Sequence, residues 1–112
     1  MATYTPDAWV ILKITPNDGE PHHKVLAGWS GSYTYGASWK LNSGITKITY
    51  QSTATMEWYD IEGHSGSVYR CGKSKERMSA YMASVLDGFM KDIEGHGTIE
   101  IIDIKDILKD YE

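Results

Sequence analysis

The spacing of apolar residues changes period just past residue 71, and that change leaves few architectures open to the chain. Up to Cys71, apolar residues come in short β-branched and aromatic runs, broken by glycine, serine and asparagine–aspartate turns. From Lys75 to Ile93 they fall at helical spacing, with Met78, Met82, Val85, Leu86, Phe89 and Ile93 on one face. Ser74 is the expected N-cap and Gly95 the expected stop. A helix with such a stripe needs a sheet to bury it. The expected fold is therefore α+β, an antiparallel β-meander of five to six strands packed by a C-terminal amphipathic helix.

The strands can be placed in order. Residues 8–14 form a compact β-branched run, residues 15–21 a turn around Asn17-Asp18-Gly19, and residues 23–29 the returning strand. Extended segments follow at 38–41, 45–51, 56–61 and 67–71, the last two joined by the turn 62–66. Ile45 lies on the face opposite Ile48 and Tyr50, a mismatch that a bulge at Gly44 would repair. Residues 98–104 read as a strand and 105–111 as a short helix, with residues 1–7 a tail. The 112 residues are expected to form one domain: sheet over 8–71, helix over 75–93, terminal strand and short helix over 98–111. Trp9, Trp29, Trp39 and Trp58 exceed what one small core readily hides, so the uncovered face is expected to be buried by homo-oligomerisation.

Charge narrows the partners. With a net charge of −4, and eleven Lys and Arg scattered among fifteen acids, the chain lacks the clustered basic face of a duplex nucleic-acid or membrane-surface binder. Cys71 is the single cysteine and cannot form an internal disulfide. No apolar run reaches the roughly 18 residues of a membrane span and no signal-peptide core is present, so a cytoplasmic location is expected.

Residues 28–44 carry the densest recognition chemistry, with Trp29, Tyr33, Tyr35 and Trp39 set among glycines and serines and followed by Asn42. Aromatic faces offer stacking area, glycines allow close approach to the backbone, and hydroxyls and amides offer neutral hydrogen bonds. The same composition describes a hairpin whose aromatics cover a small core, and both readings stand. A Ser-Gly pair recurs at Ser30, Ser43 and Ser65, and would make an anion-binding nest if the three met at one sheet edge. Lys73, Ser74, Lys75 and Arg77 cluster at the expected helix start, where an anion is favoured. The segment 66–74 departs from a P-loop in its glycine spacing and its strand-like centre. His22, His23, His64 and His96 lack metal-ligand spacing, no nucleophile elbow occurs, and no catalytic residue, metal or cofactor is expected. On chemical grounds the candidate ligand-binding residues are Trp29, Ser30, Tyr33, Trp39, Asn42, Ser43, His64, Ser65, Arg70, Lys73, Arg77 and Tyr81.

Four segments carry a resemblance: Trp9-Val-Ile-Leu-Lys-Ile14, Lys24-Val-Leu-Ala-Gly-Trp29, Ser38-Trp-Lys-Leu-Asn-Ser-Gly-Ile45 and His64-Ser-Gly-Ser-Val-Tyr69. With the order of sheet then helix over residues 8–93, the chain resembles small phage-encoded signal-sequestering sponges of the Thoeris anti-defence 1 type. The resemblance implies a host-cytoplasmic, oligomeric, non-enzymatic protein that holds a cyclic ADP-ribose or related cyclic nucleotide immune signal intact, in pockets between sheet and helices. The chain departs from what a pyrophosphate pocket would favour, because its only arginines are Arg70 and Arg77. The alternative is a protein–protein inhibitor that docks on a host defence enzyme through an acidic, aromatic-rich surface. Dependence on Asp103, Asp106 and Asp110 would favour it.

Overall fold

A computed structural model describes residues 2–32 and 36–112. The chain runs through β1 (Thr3–Tyr4), β2 (Ala8–Pro16), β3 (His22–Ser32), β4 (Gly36–Leu41), β5 (Ile45–Ser52), β6 (Glu57–Gly63) and β7 (Val68–Gly72). A 3-10 turn (Lys73–Lys75) leads to α1 (Ala80–Ile93), then β8 (Gly97–Ile102), a second 3-10 turn (Ile104–Asp106) and α2 (Leu108–Tyr111). The fold is α+β and mostly antiparallel. Among the described residues its strands number eight rather than five or six, and they form two sheets rather than one meander.

The middle sheet has the order β4-β3-β2-β8 and the outer sheet β1-β7-β6-β5. Burial along β2 shows the layering. Trp9 and Ile11 enter a core with Val25, Ile48, Tyr59, Ile61 and Cys71 of the facing sheets, while Ala8, Val10 and Leu12 enter a second core with Met82 and Leu86 of α1. The middle sheet is covered on both sides, which is why β2 begins as an unbroken apolar run. The second face is closed by the chain's own outer sheet, so Trp9 is fully buried without a partner subunit. Burial of that core also pushes the Cys71 thiol pKa far up, with the charges of Asp60 and Glu76 adding to it, so the thiol is inert at neutral pH.

Where α1 lies on the sheet, a Cβ at Gly28 would stand 2.6 Å from the Met82 sulfur, so glycine permits this contact distance. The crossing between sheets occurs at Asn42-Ser43-Gly44, between β4 and β5. The register of β5 is repaired at Thr46, not Gly44: Ile45 faces Gly63 and Lys47 faces Glu62, so both Ile45 and Ile48 point inward.

Two further expectations are corrected. The first seven residues are not simply a tail, because Thr3 and Tyr4 pair in parallel with Val68 and Tyr69. The helix begins at Ala80, and Ser79, not Ser74, caps it by accepting from Met82 N. Tertiary contact decides this. Glu76 forms a bridge beside Trp9, and its carboxylate accepts from Ile104 N at 2.9 Å, which holds residues 76–79 out of the helix. Lys73, Ser74 and Lys75 consequently lie before the helix rather than on its first turn. Gly95, at φ +82°, follows the helix end as expected.

Candidate functional site

The N-terminal segment builds the site. Asp7 N donates to Gly28 O at 2.9 Å, and Asp7 Oδ2 accepts from Ser30 N and Oγ at 2.9 and 3.0 Å. The Trp29 indole N–H donates to Thr5 O at 3.0 Å, and its ring meets Tyr4 edge-on at 6.3 Å. These contacts lay residues 3–7 beside the end of β3 and leave a cleft of about 570 Å³, lined by Tyr4, Trp29, Trp39, Lys40, Ser38 and two threonines. Trp39 leans edge-on against Phe89 of α1, with ring centres 5.2 Å apart, yet stays 39% exposed. The Lys40 ammonium sits 4.9 Å from the centre of the Tyr4 ring. The cleft thus combines the Tyr4 and Trp29 rings, hydroxyls and one cation, while Trp39 borders it with its ring turned to Phe89 on the α1 face of the sheet.

Trp29 also borders a second hollow of about 290 Å³, where Ser30, Arg77, Ser79 and Tyr81 meet Asp7 and Ala37. Here the structure brings together Ser30, Arg77 and Tyr81, three residues chosen from sequence, next to the cap of α1. Tyr33, also among the candidates, lies outside the described residues, as does Tyr35.

The remaining candidates fall elsewhere. Asn42, Ser43, His64 and Ser65 form a corner where the chain passes between sheets, and its hydrogen bonds tie the backbone together, with the buried Asn42 Nδ2 left without a partner among the described residues. Asn42 is buried and clasps Val25, accepting from its N–H at 2.8 Å and donating its own N–H to the Val25 carbonyl at 3.1 Å. Ser43 Oγ accepts from Ser65 N at 2.9 Å, while His64 N donates to Gly44 O and Gly66 N to Gly63 O. The expected nest does not form, because each of these N–H groups already has an internal acceptor, as does Ser30 N.

Arg70 and Lys73 are placed apart from the cleft and already paired. Arg70 meets Asp60 at 3.3 Å and lies over the Trp58 ring; Lys73 meets Glu57 at 3.5 Å. The Tyr50 hydroxyl also donates to Glu57, and that bond, with Lys73 beside it, holds the Glu57 carboxyl below its ordinary range. The charge of Glu57 raises the Lys73 pKa in turn. Both cations sit at exposed positions and are screened by water.

Tyr4 and Lys40 belong to the cleft and escape the sequence reading. A faint signal existed in Thr3-Tyr4-Thr5, a β-prone triplet inside the presumed tail. Among the described residues no group of three His, Cys, Asp or Glu side chains gathers to hold a metal ion, and no helix is long and apolar enough to cross a membrane. Fold and cleft define an α+β two-sheet sandwich with an aromatic, singly cationic recess. No family model, curated protein or solved structure matches the chain.

Proposed function

We propose that this protein is a non-enzymatic binder that sequesters a small, flat, polar molecule of the cyclic nucleotide or cyclic ADP-ribose class, as the sponges it resembles do. The observation that carries this reading is the convergence of the Tyr4 and Trp29 rings on one cleft, with Lys40 and Ser38 at its wall and Trp39 at its border. Aromatic rings take a base by stacking, at about 1–3 kcal/mol per base in single-stranded nucleic-acid complexes. Lys40 meets a phosphate as a point charge. Arg77 of the neighbouring hollow, across Trp29, supplies a second cation for an anionic group, while both Ser30 donors there are held by Asp7. Affinity would then come from enclosure and stacking rather than net charge, which suits a chain of net charge −4.

The test is a thermal-shift titration with cyclic ADP-ribose and cyclic dinucleotides, followed by recovery of the ligand on denaturation. The expected result is a saturable rise in melting temperature, ligand returned unaltered, and loss of the rise in Trp39→Ala. A chemically altered ligand would make the protein an enzyme. An undiminished rise in Trp39→Ala would place the ligand elsewhere.

A further inference from the structure

Four strands form the sheet edges, and they are not equally protected. β1 is two residues long; β5 carries a bulge at Thr46 and Lys47; β4 carries Lys40, and its register with β3 breaks between Trp29 and Ser32. Short length, bulges and lysines are the usual devices that stop an edge from pairing with another chain. β8 has none of them. Its register with β2 runs unbroken from Gly97 opposite Pro16 to Ile102 opposite Ile11, with no lysine, proline or bulge. Among the described residues no strand pairs along its outer side.

The two faces flanking this edge differ in chemistry. Ile99 and Ile101 stand opposite Ile14 and Leu12 on the α1 side. There Ile99 borders an apolar groove of about 320 Å³ with Leu12, Ile14, Phe89 and Ile93. Nearby Ile101 is 50% exposed, a large uncovered side chain for a strand that lines a core. On the opposite face Glu100, cross-strand from Lys13, borders a cleft of about 420 Å³ with Asp106 and Asp110. Three carboxylates there face one lysine, since burial and the Lys13 charge hold His23 toward its neutral form.

We propose that β8 is a docking edge for an extended segment of a partner protein whose side chains alternate between apolar and cationic. Such a strand hydrogen-bonds along the open edge, sets its apolar residues over Ile99 and Ile101, and turns its cations toward Glu100 and Asp106. A second copy of this chain fits less well. It would bring another Glu100 and Asp106 to the same carboxylates, in a molecule already at −4. The edge lies across the middle sheet from β4 and the aromatic cleft, so ligand and partner strand do not compete for space.

The test uses fluorescence anisotropy with three short labelled peptides: alternating valine and lysine, the same composition in two blocks, and alternating valine and glutamate. The expected result is saturable binding of the alternating valine–lysine peptide, roughly tenfold tighter than either control. Glu100→Lys, at an exposed position opposite Lys13, should lower the melting temperature only slightly and erase the preference between the valine–lysine and valine–glutamate peptides, since two carboxylates would then face two lysines. Equal binding of the block peptide would overturn the proposal, as would a preference unchanged in Glu100→Lys. A wild-type dimer in sedimentation equilibrium that dissociates in Ile101→Lys would also overturn it, because the edge would then belong to a second copy.

Discussion

The corner at Asn42, Ser43, His64 and Ser65 and the cleft at Tyr4, Trp29, Trp39 and Lys40 draw on similar residue chemistry but put it to different uses. In the corner, the hydrogen bonds close on the fold itself: Asn42 Oδ1 accepts from Val25 N, Ser43 Oγ from Ser65 N, and His64 N donates to Gly44 O, while Asn42 Nδ2 is sealed from solvent without a partner among the described residues. In the cleft, the Trp29 indole donating to Thr5 O and the Asp7 carboxylate accepting from Ser30 fix the walls, while the Tyr4 and Trp29 rings, Lys40 and hydroxyls line the space between them. A polar, glycine-rich segment serves a ligand only where its hydrogen-bonding capacity is left over after folding.

Substitutions should separate the two regions into stability without binding and binding without stability. Asn42→Ala has the largest expected effect. It leaves the Val25 N–H buried without an acceptor and should cost about 2–3 kcal/mol in urea denaturation, while ligand affinity per folded molecule is unchanged. Gly44→Ala comes next, at about 1–3 kcal/mol. Its φ is +126°, and an added Cβ would stand 2.8 Å from the His64 ring. Trp39→Ala should lower stability by no more than about 1 kcal/mol, given its exposed position, yet abolish the ligand-dependent rise in melting temperature.

The smallest expected effect lies outside both regions and serves as a control. His23 Nδ1 is hydrogen-bonded to the Tyr111 hydroxyl at 2.7 Å, and burial, then Lys13, hold its pKa below the ordinary 6.5. A lowered histidine pKa means the unfolded chain takes up the proton first. Its contribution is therefore full above about 6.5 and is lost as pH falls from there through the folded value. Glu76, whose carboxyl is raised by burial, acts with the opposite sign, stabilising the fold as pH falls through its raised pKa. The difference between wild type and His23→Gln isolates the histidine, and stability measured from pH 7.5 to 5 should fall less in the variant.

How far the sequence reaches depends on whether a feature is local. The hairpin of β2 and β3, the end of α1 at Gly95 and the strand at β8 are written in runs, turns and periodicity over a few residues. The division into two sheets is not, because alternation says which face of a strand is buried and nothing about which strand lies beside it. The helix start illustrates the same limit. The sequence points to Ser74 as cap, and the hydrogen bond from Ile104 N to Glu76, 28 residues away, moves the helix start to Ser79. For the site, Trp29 and Trp39 were legible as aromatics among glycines. Tyr4 was hidden in an apparent tail, because its role depends on pairing with Tyr69 across the chain.

The central claim is that the cleft, and not the corner or the outer sheet, receives a nucleotide-like ligand. The four tryptophans report on it directly through their indole N–H signals in a nitrogen–proton correlation spectrum. Titration with cyclic ADP-ribose should move the Trp29 and Trp39 signals together and saturably, and leave those of buried Trp9 and of Trp58 on the outer sheet in place. Movement of Trp58 alone, or no movement of Trp29 and Trp39 at saturating ligand, would contradict the account.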